Sequence, residues 1–188
     1  MFSRRSVRGA SIVAAAAALG TAALAMPTQA QAADSFFHLT NDNSRLVIAP
    51  KTVSEGSQLV QKTVKSISQR QWRQVLNSDG SVTYVLRAKI FAANGAALNG
   101  CLDLSSDANA SLQRAGAVLV VRVCDFTLSQ KWQRKFQSGD GTFVLQNKLS
   151  LMNIDVDNNR PNRLGAVIIQ NDVPETSQDW RRTNFVTG

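Results

Sequence analysis

The chain is short of the residues from which most enzyme sites are built: its 188 residues include one histidine, one tyrosine and two cysteines. His38 has no thiol nucleophile near it and no repeated acid pair, so no nucleophile–base arrangement is legible and an enzyme is not expected. Two thiols and one imidazole cannot supply a four-ligand cage, which removes a structural metal, and no cofactor motif is present. Aromatic residues make up 6% of the chain. With so few rings, and with Lys and Arg scattered, the formal charge of +8 does not describe a nucleic-acid surface. A mild positive balance suits a soluble secreted protein that adheres weakly to anionic polymers. Long apolar runs are also missing. The stretch Ile12–Ala25 is Ala-rich and shorter than the ~20 residues a membrane span needs.

That stretch has another reading. Arg4, Arg5 and Arg8 precede it and Ala30-Gln31-Ala32 follows Pro27, the pattern of a secretory signal peptide over residues 1–32. Ser3-Arg4-Arg5 leaves ordinary and twin-arginine export both open. Residues 33–188 then form one secreted, monomeric domain. Both cysteines, Cys101 and Cys124, fall within it, and in an oxidising compartment they are predicted to form a disulfide that stabilises the fold by about 3 kcal/mol.

What the chain does have is a threefold phrase. Its three tryptophans stand in Ser68-Gln69-Arg70-Gln71-Trp72, Ser129-Gln130-Lys131-Trp132 and Ser177-Gln178-Asp179-Trp180. Upstream of each, a glycine opens a run rich in β-branched residues: Gly56 before Leu59-Val60, Gly116 before Val118-Leu119-Val120, Gly165 before Val167-Ile168-Ile169. Such short runs, bounded by turn formers including Asn77-Ser78-Asp79-Gly80 and Ser138-Gly139-Asp140-Gly141, predict an all-β protein of about twelve strands. The units span about 36–77, 78–138 and 139–186. One Trp at the same place in each unit, among Val and Leu, reads as threefold core: Trp72, Trp132 and Trp180.

Cys101-Leu102-Asp103, the later Gly-x-x-Val strand, Cys124 and Gln-x-Trp together resemble the ricin B-type lectins. The likeness extends from about Phe36 to Val186 and implies a β-trefoil. The first unit departs from the pattern, with Arg70 two residues before its Trp. The segment Lys89 to Asn99 is extra in the middle unit and is expected on a surface loop.

The resemblance implies a sugar site of one Asp, one platform aromatic and assisting amides. Asp103 and Asp155 match the Asp, which accepts charge-assisted hydrogen bonds from vicinal hydroxyls, and Gln130 and Gln178 match the Gln. Ile48 is aligned with the Asp in the first unit, so that site lacks its acceptor. Lys62, Arg122 and Asn171 stand where the aromatic belongs, and losing a ring costs about 1–2 kcal/mol per site. Arg122 fits two roles: planar donor to an acidic or heavily hydroxylated glycan, or half of an ion pair with Asp103 and no ligand. Asp155-Val156-Asp157-Asn158-Asn159 starts like a calcium loop, but Arg160 and Ala166 replace its Gly and Glu, so it reads as a strand end and turn. The expected function is weak, non-catalytic carbohydrate binding, with no nucleic-acid or membrane partner. The alternative is a degenerate trefoil that binds a secreted protein, as an inhibitor or a targeting subunit.

Overall fold

The computed structural model describes residues 35–104, 114–137, 139, 141–157 and 163–183. The signal peptide read over residues 1–32 lies outside them, as do Asn158 and Asn159 of the calcium-like phrase. Twelve strands form, four per unit: β1 His38–Asn41, β2 Val47–Pro50, β3 Ser57–Lys62, β4 Trp72–Leu76; β5 Val82–Phe91, β6 Ala97–Leu104, β7 Leu119–Val123, β8 Trp132–Phe136; β9 Phe143–Asn147, β10 Asn153–Val156, β11 Ile168–Asn171, β12 Trp180–Thr183.

The first and last strands of each unit close a six-membered ring. β4 pairs with β5, β5 with β8, β8 with β9, β9 with β12 and β12 with β1, and the Phe37–Trp72 bridge joins β1 to β4. Closure leaves no barrel edge exposed. The inner hairpins β2–β3, β6–β7 and β10–β11 touch one another through Ser57–Val121, Val118–Ile169 and Val60–Val167. The three strand-opening glycines lock this contact. Gly56 N–H donates to Val121 O, Gly116 N–H to Gln170 O and Gly165 N–H to Gln61 O, at 2.9, 2.8 and 2.8 Å. Their φ values of 73°, 82° and 82° are left-handed, a region in which a Cβ is strained.

All three tryptophans are fully buried in one apolar cluster. Each indole N–H still needs an acceptor there. Trp72 donates to Ile48 O, Trp132 to Leu102 O and Trp180 to Ile154 O, at 3.0, 3.2 and 3.1 Å. These bonds correct the alignment of the first unit. Ile48 corresponds to Leu102 and Ile154, side chains turned into the core, and Ala49 occupies the place of Asp103 and Asp155. Strand pairing agrees: Ala49 faces Val60, Asp103 faces Val120 and Asp155 faces Ile169.

A second correction concerns Lys89–Asn99, which is not a loop. β5 runs on to Phe91 and pairs with β6 through Lys89–Asn99, Ile90–Leu98 and Phe91–Ala97. The reason lies in what ends the equivalent strands. Asn41 and Asn147 each use Oδ1 to cap the following turn, accepting from Ser44 N and Leu149 N, and each turn has a left-handed residue, Arg45 or Leu151. Unit two has Leu86 at this place, facing Trp72 as Asn41 faces Trp180 and Asn147 faces Trp132, and cannot make the turn. The strand therefore continues, and its tip docks on unit one through Phe91 N–H to Val53 O. The disulfide forms as expected, joining Cys101 on β6 to Cys124 just after β7. Among the described residues, no helix is long and apolar enough to cross a membrane.

Candidate functional site

A cleft of about 480 Å³ opens beside the second unit, with Asp103 and Gln130 at its floor, Arg122 on its side and Asp125, Thr127 and Leu128 at its rim. Glu55 from unit one and Leu149 from unit three complete the wall. Asp103 projects from β6 because strand alternation turns it away from core-facing Leu102 and Leu104. It is 5% exposed. Its Oδ1 accepts from Leu104 N at 2.7 Å and its Oδ2 from Gln130 Nε2 at 2.9 Å. Burial raises the Asp103 pKa, opposed by the bonds from Gln130, Ser129 and the Leu104 amide and by the Arg122 charge.

Gln130 ends the one-turn helix Leu128–Gln130 and is itself wholly buried. Its Nε2 also donates to Val123 O at 2.8 Å, while its Oε1 accepts from Asp125 N at 3.0 Å and Phe126 N at 3.1 Å. Both donors and both acceptor sites are thus used inside the protein. The side chain holds Asp103 and shapes the rim. That saturation is invisible in the sequence, as is the place of Phe126. Phe126 lies between the rim residues Asp125 and Thr127, in a left-handed conformation of φ 59°, and is 44% exposed. A lone aromatic between Cys124 and Gln130 was the available signal.

The third-unit residues also meet, in a different state. Asp155 has no exposed surface; its Oδ1 accepts from Val156 N and its Oδ2 from Asn171 Nδ2 and Gln178 Nε2, at 2.6, 2.9 and 3.2 Å. Asn171 stands in place of a platform and seals the carboxylate. In the first unit Lys62 and Arg70 line a separate cleft, with no carboxylate at Ala49. His38 is buried and its Nε2 donates to Lys65 O at 3.1 Å, which makes it a strand-to-loop tie.

The closed barrel and its hairpin cap define a β-trefoil protein. No protein-family model matches the chain, and no curated protein matches it in sequence. In structure it is similar to a designed threefold-symmetric protein, ThreeFoil, at 23% identity and a TM-score of 0.66, covering 80% of this chain and 99% of that one. The exo-β-1,3-galactanase 1,3Gal43A of Clostridium thermocellum matches at 23% identity and a TM-score of 0.67 over 80% of this chain, which spans 30% of the galactanase. The ricin B-like lectin of Macrolepiota procera, solved in complex with lactose, matches at 14% identity and a TM-score of 0.61, covering 81% of this chain and 97% of the lectin.

Proposed function

We propose that the protein is a secreted, non-catalytic carbohydrate-binding module whose principal site is the second-unit cleft. The observation that carries this reading is Asp103 held at the floor of an open cleft by a saturated Gln130, with Arg122 beside it. A carboxylate with spare lone pairs accepts hydrogen bonds from two sugar hydroxyls, and a guanidinium donates to a third oxygen. Phe126, half-exposed between the rim residues Asp125 and Thr127, is the ring we assign to the apolar face of a pyranose in place of one at Arg122. The likeness to a lectin solved with lactose and to part of a galactanase supports a glycan ligand. Asp155 contributes less, because Asn171 and Gln178 already occupy it. The disulfide suits an exported protein.

Binding of the purified protein to a glycan array and to insoluble polysaccharides tests the reading, with Asp103→Asn and Phe126→Ala alongside. Selective binding lost in Asp103→Asn and weakened about tenfold in Phe126→Ala is the expected result. A folded wild type that binds no glycan would overturn it. The second reading, a protein partner, is favoured by the half-exposed Phe91 on the extra β5–β6 hairpin; binding indifferent to Asp103 but lost in Phe91→Ala would establish it.

A further inference from the structure

The first unit carries the opposite chemistry from the other two. Where they have the pairs Asp103–Gln130 and Asp155–Gln178, it has Ala49 and Arg70, so a carboxylate has become a methyl and a neutral amide a cation. Arg70 keeps the backbone anchor of its counterpart: Gln130 donates to Val123 O, and Arg70 Nη1 donates to Thr63 O at 2.5 Å and to Thr63 Oγ1 at 3.0 Å. Its Nε–H and Nη2 protons have no protein acceptor among the described residues. Lys62, in the place of Arg122, spends one proton on Lys51 O at 3.3 Å, and Lys51 spends one on Gln58 Oε1 at 2.6 Å. Lys51, Lys62 and Arg70 line one cleft of about 390 Å³, together with apolar Pro50, Val53 and Ile67. An adjoining hollow of about 280 Å³ shares Lys62 and Arg70. No Asp or Glu lines either one, and among the described residues none of the three cations is paired with a carboxylate.

We infer that this cleft is an anion-accepting subsite, in which Arg70 and Lys62, assisted by Lys51, hold the sulfate or carboxylate group of a charged glycan while Pro50, Val53 and Ile67 meet the apolar face of its ring. The inference rests on the reading of the protein as a glycan binder. Arg70 supplies a planar fork matched to an oxyanion and the lysines supply point charges. Burial, and after it the nearby Arg70 charge, hold the Lys62 ammonium below its ordinary pKa, a cost that a bound anion would remove.

Isothermal titration of the full protein against dextran sulfate and dextran, and against polygalacturonate and neutral galactan, tests this at about 0.15 M ionic strength, where diffuse charge is screened beyond about 8 Å. The two charged polymers separate sulfate from carboxylate. Arg70→Gln introduces the side chain the other units already have, so folding is expected to survive, with thermal melting as the check. Expected are tighter binding of one charged polymer than of its neutral partner, and about tenfold weaker binding in each of Arg70→Gln and Lys62→Gln. The Lys135→Gln/Lys148→Gln pair, on β8 and just after β9 and lining neither hollow, should lose little. Equal loss in that pair would reduce the effect to net charge and overturn the inference. So would equal binding of charged and neutral polymers. If neutral glycans bind through Asp103 without preference for charge, the subsite alone fails; if no glycan of either kind binds, the glycan reading fails with it.

Discussion

Replacing Gln130 by Ala separates a ligand-touching role from a positioning one. Four hydrogen bonds disappear: those to Asp103 Oδ2 and Val123 O, and those from the Asp125 and Phe126 amides. The bond to Asp103 is buried, while the other three involve partly buried groups that regain some water. At about 1 kcal/mol net per bond, with an added penalty for the buried carboxylate, the loss comes to about 3–5 kcal/mol. For a domain of this size that lowers the melting temperature by about 10 °C. Thermal unfolding followed by circular dichroism reads the shift, and amide hydrogen exchange should show Asp125 and Phe126 losing protection. Glycan affinity should fall as well, because Asp103 and the rim are no longer held. A Gln130→Ala protein that melts like wild type yet binds no sugar would refute the reasoning, since the side chain would then be acting on the ligand.

Three further outcomes are expected. Reduction of Cys101–Cys124 should destabilise the fold by about 3 kcal/mol, seen as an earlier urea midpoint; an unchanged midpoint would mean the bridge adds nothing. Because burial raises the Asp103 pKa above its ordinary value of 3.8, the folded protein holds a proton there that the unfolded chain has released. The Asp103 contribution to stability should therefore decline as pH rises through that window. Sugar binding, which needs the ionised form, should be lost as pH falls through the raised value, and Asp103→Asn should remove both dependences. Gly116→Ala should cost about 1–2 kcal/mol by denaturant titration through its left-handed φ of 82°, whereas Ala115→Gly on the same turn should have a smaller effect.

The repeat was legible because a threefold core needs the same bulky residue and the same left-handed glycine at equal places, and local sequence records both. Register was less legible. Val47-Ile48-Ala49 offers no polar residue to mark which side chain turns outward, so it takes the indole bond from Trp72 to Ile48 O and the pairing of Ala49 with Val60 to identify Ala49 as the counterpart of Asp103. The Lys89–Asn99 hairpin was hidden for a related reason, since it follows from Leu86 standing where the other units have an asparagine. The site residues were found by type, but their roles depend on partners distant in the chain. Asp103 and Asp155 look alike in sequence; Asn171 donates to Asp155 and encloses it, while Arg122 leaves Asp103 facing a cleft. Arg70 read as a blemish in the repeat, and its meaning emerged only beside Lys62 and the missing carboxylate.

The three glycine bonds run from unit one to two, two to three and three to one, and β1 lies paired with β12 so that His38 faces Thr183. Such a cycle has no first or last member. Where the polypeptide begins is mechanically arbitrary: the two ends of the domain are neighbours, and a peptide link between them with a new opening at the exposed Asp79–Gly80 turn would leave every inter-unit bond in place. The units are therefore interdependent in stability yet free to diverge in surface chemistry. One scaffold can hold an acidic cleft, a sealed carboxylate and a cationic cleft at once, each altered without unbalancing the other two.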